Sequence, residues 1–177
     1  MVSLAVKGKA RTMVSRAART RIRRRALRIL DASGSTDAEL SVVLTDDGQV
    51  RELNRTYRSQ DQTTDVLSFA LDAEREPDDG APAPAAPHGC PELPRMLGDV
   101  VISVEQAQRQ ALDGDLVDEL TRLLVHGVCH LQGQVHDTAP QRQQMQQAEQ
   151  RLLDLFGLDR GLTARADAAQ AAAESRS

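Results

Sequence analysis

Three histidines, His126, His130 and His136, fall within eleven residues of a 177-residue chain that has four in all. The run from Leu116 to Val125 reads as helix, and His126 and His130 continue it. Residues four apart on a helix are neighbours, about 5–6 Å between Cβ atoms, so both imidazoles can address one ion. Gly133 is a natural helix stop, after which the chain can turn and bring His136 back to the same point. Three neutral imidazoles with one open position form the ligand set of a catalytic zinc site, where water takes the fourth place. A lone histidine on an apolar helix is usually a packed core residue. Three at this spacing around a glycine are not explained by packing, and they point to one zinc per chain. In His-Glu-x-x-His peptidases a glutamate follows the first histidine and serves as general base; here Gly127 stands in its place. The pattern therefore calls for a different reaction.

The stretch His126-Gly127-Val128-Cys129-His130-Leu131-Gln132-Gly133-Gln134-Val135-His136 resembles the signature of the YbeY family, bacterial ribosomal RNA maturation factors that are metal-dependent endoribonucleases. The similarity continues in Leu53-Asn54-Arg55-Thr56-Tyr57-Arg58, in Thr64-Asp65-Val66-Leu67-Ser68-Phe69 and in Leu97-Gly98-Asp99-Val100-Val101-Ile102-Ser103. Met145 and Glu149 sit in a helix like the family's last one, so the resemblance runs roughly from Leu40 to Leu158. Three positions depart from the signature: the family usually has Leu at Cys129, Tyr at Gln134 and Asp at Val135. The missing Asp leaves open what orients the metal ligands, and whether Asp137 compensates.

The resemblance implies a zinc-dependent endoribonuclease that cuts single-stranded RNA in small-subunit ribosomal RNA 3′-end processing and ribosome quality control. It implies ribosomal RNA, and the small subunit or its assembly proteins, as partners. It also implies a functional role for Arg58, which spacing alone would leave as a surface arginine. Guanidinium grips phosphate oxygens in a bidentate way, so Arg58 would hold the scissile phosphate. No general base stands beside the histidines, so either water on the metal or the RNA 2′-hydroxyl is the nucleophile. Two other readings stay open: a ribosome-assembly module with a structural zinc, and a metal-dependent hydrolase of another class. A structural zinc should be closed by a fourth protein ligand, while an enzyme keeps that position open. Cys129, three residues after His126, reads as a small core residue rather than that ligand.

Charge is unevenly spread. The net charge is −4, yet residues 1–28 hold ten of the 22 Lys and Arg and none of the 26 Asp and Glu. A basic arm on an acidic body suits a polyanion on one face, with Arg21, Arg24, Arg25 and Arg28 as candidate RNA contacts. The same arm also reads as a solvated helix face, or as an Arg-rich, acid-free transit peptide. Aromatic residues make up 2% of the chain, which disfavours a base-stacking platform. No apolar run approaches the roughly 20 residues of a membrane span. Cys90 and Cys129 have no paired spacing, which fits a reducing cytoplasm and no disulfide partner.

The elements that must position the histidines follow in order. A short strand is expected at Val2 to Val6 and a helix from about Arg11 to Leu30, with Ile22, Ala26, Ile29 and Leu30 on one stripe. A strand is expected at Leu40 to Leu44, then a helix capped near Asp46-Asp47-Gly48 that carries Val50, Leu53 and Tyr57. Strands Val66 to Leu71 and Leu97 to Val104 flank residues 72–95, which hold six of the seven prolines and read as a disordered insertion. His88 and Cys90 lie inside it, a poor platform for ligands. A helix near Val104 to Ala111, the histidine helix and a last helix opened by the capping box Thr138-x-x-Gln141 complete the set. Residues 163–177 read as a flexible, Ala-rich tail. The expected fold is α+β: one domain over residues 1–162. The resemblance implies a small mixed four-stranded sheet packed with about five helices.

Overall fold

The computed structural model describes residues 1–71, 95–111 and 114–174, with side chains to residue 168. Four strands, β1 (Val2–Val6), β2 (Ala38–Thr45), β3 (Val66–Ala70) and β4 (Arg95–Ser103), form one mixed sheet in the order β1-β2-β4-β3. β1 and β4 run parallel to β2, and β3 is antiparallel to β4. Seven helices accompany the sheet among the described residues: α1 (Ala10–Met13), α2 (Arg16–Ala32), α3 (Asp47–Arg58), α4 (Val104–Gln110), α5 (Leu116–Leu131), α6 (Ala139–Asp154) and α7 (Leu162–Glu174).

Side-chain alternation along β2 and β4 divides the core in two. Leu40, Val42, Leu44, Val100 and Ile102 join the main cluster with Ile22 and Ile29 of α2 and Leu120, Leu124 and Val128 of α5. On the opposite face, Val101 and Leu67 pack with Val50 of α3, flanked by Val43, Leu53 and Phe69. β4 is central and buried for most of its length, as its continuous apolar run requires. α5 is buried on nearly every side, because it packs against β3, β4, α2, α4, α6 and α7 together.

Two glycines set how closely α5 meets the sheet. A Cβ on Gly127 would come within 2.7 Å of Val100 Cγ1 and 3.1 Å of Ser68 Oγ. Gly98, at φ +138°, sits where the β2–β4 register shifts, and its Cβ would lie 2.2 Å from the Phe69 carbonyl and 2.9 Å from Leu131 Cδ2. Only glycine fits either place.

Three boundaries differ from the sequence expectation. The basic N-terminal helix is broken at Val14, which is buried and extended, and Ser15 restarts it by accepting a hydrogen bond from the Ala18 amide at 3.1 Å. The stretch expected as a flexible tail is helical from Leu162 to Glu174 and packs on α5 and α6 through its first turns. Of the Pro-rich insertion, only Arg95 falls within the described residues, where it opens β4; His88 and Cys90 lie outside them.

Candidate metal centre

His126 and His130 project from the last turns of α5, and His136 comes from the connection to α6. Gly133, at φ +81°, ends the helix and turns the chain back, as its lack of a Cβ allows. The ligand atoms of the three histidines lie within 4.8 Å of one another. Each ring is partly buried, with centroid separations of 4.5, 5.2 and 5.7 Å.

Hydrogen bonds fix which nitrogen each helical ring offers. His126 Nδ1 is 2.7 Å from Glu149 Oε1, and His130 Nδ1 is 2.9 Å from the Gln134 carbonyl. A carboxylate and a carbonyl only accept, so each Nδ1 must donate. In a neutral ring the lone pair is then on Nε2, and the two Nε2 atoms face each other at 3.0 Å. Two lone pairs at that distance repel unless a cation lies between them. Two ligands of a tetrahedral zinc, each about 2.0–2.1 Å from the ion, stand about 3.3 Å apart. The cluster therefore fits the ion that the spacing implied. Burial, reinforced by His126, His136 and Arg58, pushes the His130 pKa down to about 4, so the ring is neutral and ready to ligate at neutral pH.

The expected Asp is absent, and the side chain of Val135 is exposed. A carboxylate does meet one candidate ligand: Glu149 of α6, fully buried, stands against His126. Asp137 does not take this role; it is exposed at the rim, and its carbonyl accepts from Arg142 at 3.1 Å. Cys129 is fully buried in the main core, where burial and the Glu149 charge push its thiol up to about 12. Its sulfur is not among the ligand atoms that gather with the three histidines. Among the described residues, no fourth protein ligand joins the three histidines.

Arg58 lies with the histidines. A cleft of about 460 Å³ is lined by all three rings, Arg58, Asp65, Ser68 and Asp137. Arg58 is the last residue of α3, and Ser59 follows in the left-handed conformation at φ 55°. Buried Asn54 holds this turn, its Nδ2 donating to the Gln62 carbonyl at 2.8 Å while its own carbonyl accepts from Gln60. Asn54 was legible only as part of a motif; its work is to aim the end of α3. A larger cavity, about 660 Å³, lies on the opposite sheet face beside Val43, Leu53 and Phe69, away from the cluster. The metal-ligand geometry, and not cavity size, marks the site.

The basic arm is elsewhere. Arg25 donates to Asp118 at 2.6 Å and Thr121 at 2.8 Å, and Arg21 reaches Asp115 at 3.4 Å. Arg28 donates to the Leu155 carbonyl at 3.2 Å and covers the Phe156 ring, as Arg25 also does. Asp118 precedes His126 by eight residues on α5, which is about 12 Å of helical rise. Arg24 is exposed and has no partner among the described residues.

Residues 7–157 match the family model described as Endoribonuclease YbeY. The chain belongs to the YbeY family. The Endoribonuclease YbeY of Moorella thermoacetica is 44% identical over 140 residues, 75% of this chain and 85% of that protein. The Desulfitobacterium hafniense and Enterococcus faecalis proteins of that name are each 40% identical over 126 residues, 70% of this chain and 75% and 78% of theirs. The YbeY-family match takes in the three histidines, Arg58 and Glu149, and stops before α7. No helix among the described residues is long and apolar enough to cross a membrane.

Proposed function

We propose that this chain is a zinc-dependent endoribonuclease that cuts single-stranded RNA during ribosomal RNA maturation, in the cytoplasm and in contact with the small ribosomal subunit or its assembly proteins. Family membership supports the reaction class. The observation that carries the site is the pair of Nε2 lone pairs converging at 3.0 Å beside His136, with each Nδ1 already committed to an acceptor.

His126, His130 and His136 would hold the zinc. Zinc held there would supply a Lewis acid for the phosphate and lower the pKa of its water to about 7. The remaining work falls to the protein. Glu149 and the Gln134 carbonyl lock the two helical rings in one tautomer and one orientation. Arg58 presents a guanidinium across the cleft, where it would hold a phosphate against the cluster. Its place at the end of a helix held by Asn54 gives that charge a fixed position. A fourth position without a protein ligand among the described residues favours catalysis over a closed structural site. Of the four candidate arginines Arg21, Arg24, Arg25 and Arg28, Arg24 is the one without a protein partner among the described residues, free to add an outlying phosphate contact.

Elemental analysis of the purified protein tests the site. About one zinc per chain is expected, with each of His126→Ala, His130→Ala and His136→Ala losing most of it. Undiminished zinc in all three variants would remove the cluster as the binding site.

A further inference from the structure

We infer that the first turn of α7 is a positioning element for the metal centre, with Thr163 acting through Glu149 on His126. The inference rests on the three histidines being the metal site. Glu149 is buried in the core, and a carboxylate there needs donors on both oxygens. One is His126 Nδ1, at 2.7 Å from Oε1. The others come from a single residue beyond the family match: Thr163 Oγ1 donates to Oε1 at 3.1 Å, and the Thr163 amide donates to Oε2 at 3.2 Å. Thr163 is itself buried.

The chain before it is shaped to the same group. A Cβ on Gly161 would lie 2.2 Å from Glu149 Oε2 and 2.8 Å from its Cβ and Cδ, so glycine alone lets the backbone close over the carboxylate. A separate anchor holds α7 in place. Arg165 Nη1 donates to both oxygens of Glu119 on α5, at 2.9 and 3.0 Å, and Glu119 is fully buried. α7 is thus fastened to the histidine helix by one residue and to the ligand-orienting carboxylate by another. A partner that orients a metal-ligating imidazole typically alters metal affinity by about 10–100-fold when lost. Thr163 stands one step further out and fixes that partner.

The test is zinc affinity of the full chain, measured by competition with a chromophoric chelator. Thr163→Val removes the hydroxyl at nearly constant volume and should weaken zinc binding about tenfold, whereas Thr163→Ser should restore it. In a Glu149→Ala background, Thr163→Val should have no further effect on zinc affinity, because its route to His126 is gone. Circular dichroism and thermal unfolding of the metal-free proteins show whether each variant folds. Should Glu149→Ala fail to fold, the Val and Ser variants decide alone. Wild-type zinc affinity in Thr163→Val, or an equal loss in both backgrounds, would overturn the inference while leaving the metal site intact. A wild-type chain that takes up no zinc would overturn both.

Discussion

Arg58 and His130 show how single residues would divide the work. Guanidinium stays protonated and has no lone pair, so Arg58 is not a metal ligand. Arg58→Ala should keep zinc and fold yet slow cleavage of single-stranded RNA by about 10²-fold or more, the scale of losing one donor to a developing anion. Arg58→Lys should recover part of the rate, since an ammonium is a point charge without the fork. Cleavage rates beside zinc content check this, and full activity in Arg58→Ala would take the residue out of the site. His130 carries a pH signature. Its pKa is near 4 in the folded chain, against about 6.5 for an unperturbed histidine. Between those values the unfolded state binds more protons, so this ring makes the metal-free protein more stable as pH rises from about 4 to 6.5, and less stable as it falls. Urea unfolding across that window should give a steeper dependence for the wild type than for His130→Asn. Equal slopes would contradict the burial read from the structure.

At the scale of elements, α5 carries the site and Gly127 decides where α5 lies. Gly127→Ala would gain about 1 kcal/mol in helix propensity. The new methyl would meet Val100 Cγ1 at 2.7 Å in the main core, and a stiff β-branched neighbour gives little ground. A net loss of about 1–2 kcal/mol is expected, as for an overpacked core, measured by chemical unfolding of the metal-free chain. The arm separates into two kinds of arginine. Arg24→Gln should flatten the slope of log K for RNA against log salt by up to about 0.7 with stability unchanged. Arg25→Gln should instead cost stability, since it removes the guanidinium that donates to both Asp118 and Thr121. The strands, α5 and the Thr138–Gln141 capping box were legible because apolar period and cap chemistry are local signals. α7 was not. Its Ala-rich run has no apolar stripe, and it is held by Thr163 and Arg165, polar residues whose buried partners, Glu149 and Glu119, lie far away in sequence. The three-histidine spacing brought the candidate ligands into view, while the contact of His126 with a carboxylate on α6 is a tertiary fact that no spacing encodes.

For the whole molecule, the sheet, α5 and α6 form the frame among the described residues. Ala70 and Gly98 are partners across the antiparallel β3–β4 pair, so the two strands can be joined by a short turn. Replacing residues 72–94 with a brief glycine-containing turn should keep zinc binding and cooperative unfolding; loss of either would show that the frame depends on that segment. One ion, held by three histidines on this frame, would make the chain a ribonuclease, and that dependence is open to measurement. Its most direct test is to strip the protein of metal and return zinc in steps, following bound zinc and cleavage of single-stranded RNA in the same samples. Cleavage should be absent at the start, rise in proportion to bound zinc and level off near one ion per chain, and it should fail to appear in His126→Ala. Full cleavage by the metal-free protein, or activity that does not track the bound ion, would show that the three-histidine ion is not what makes the chain cut RNA.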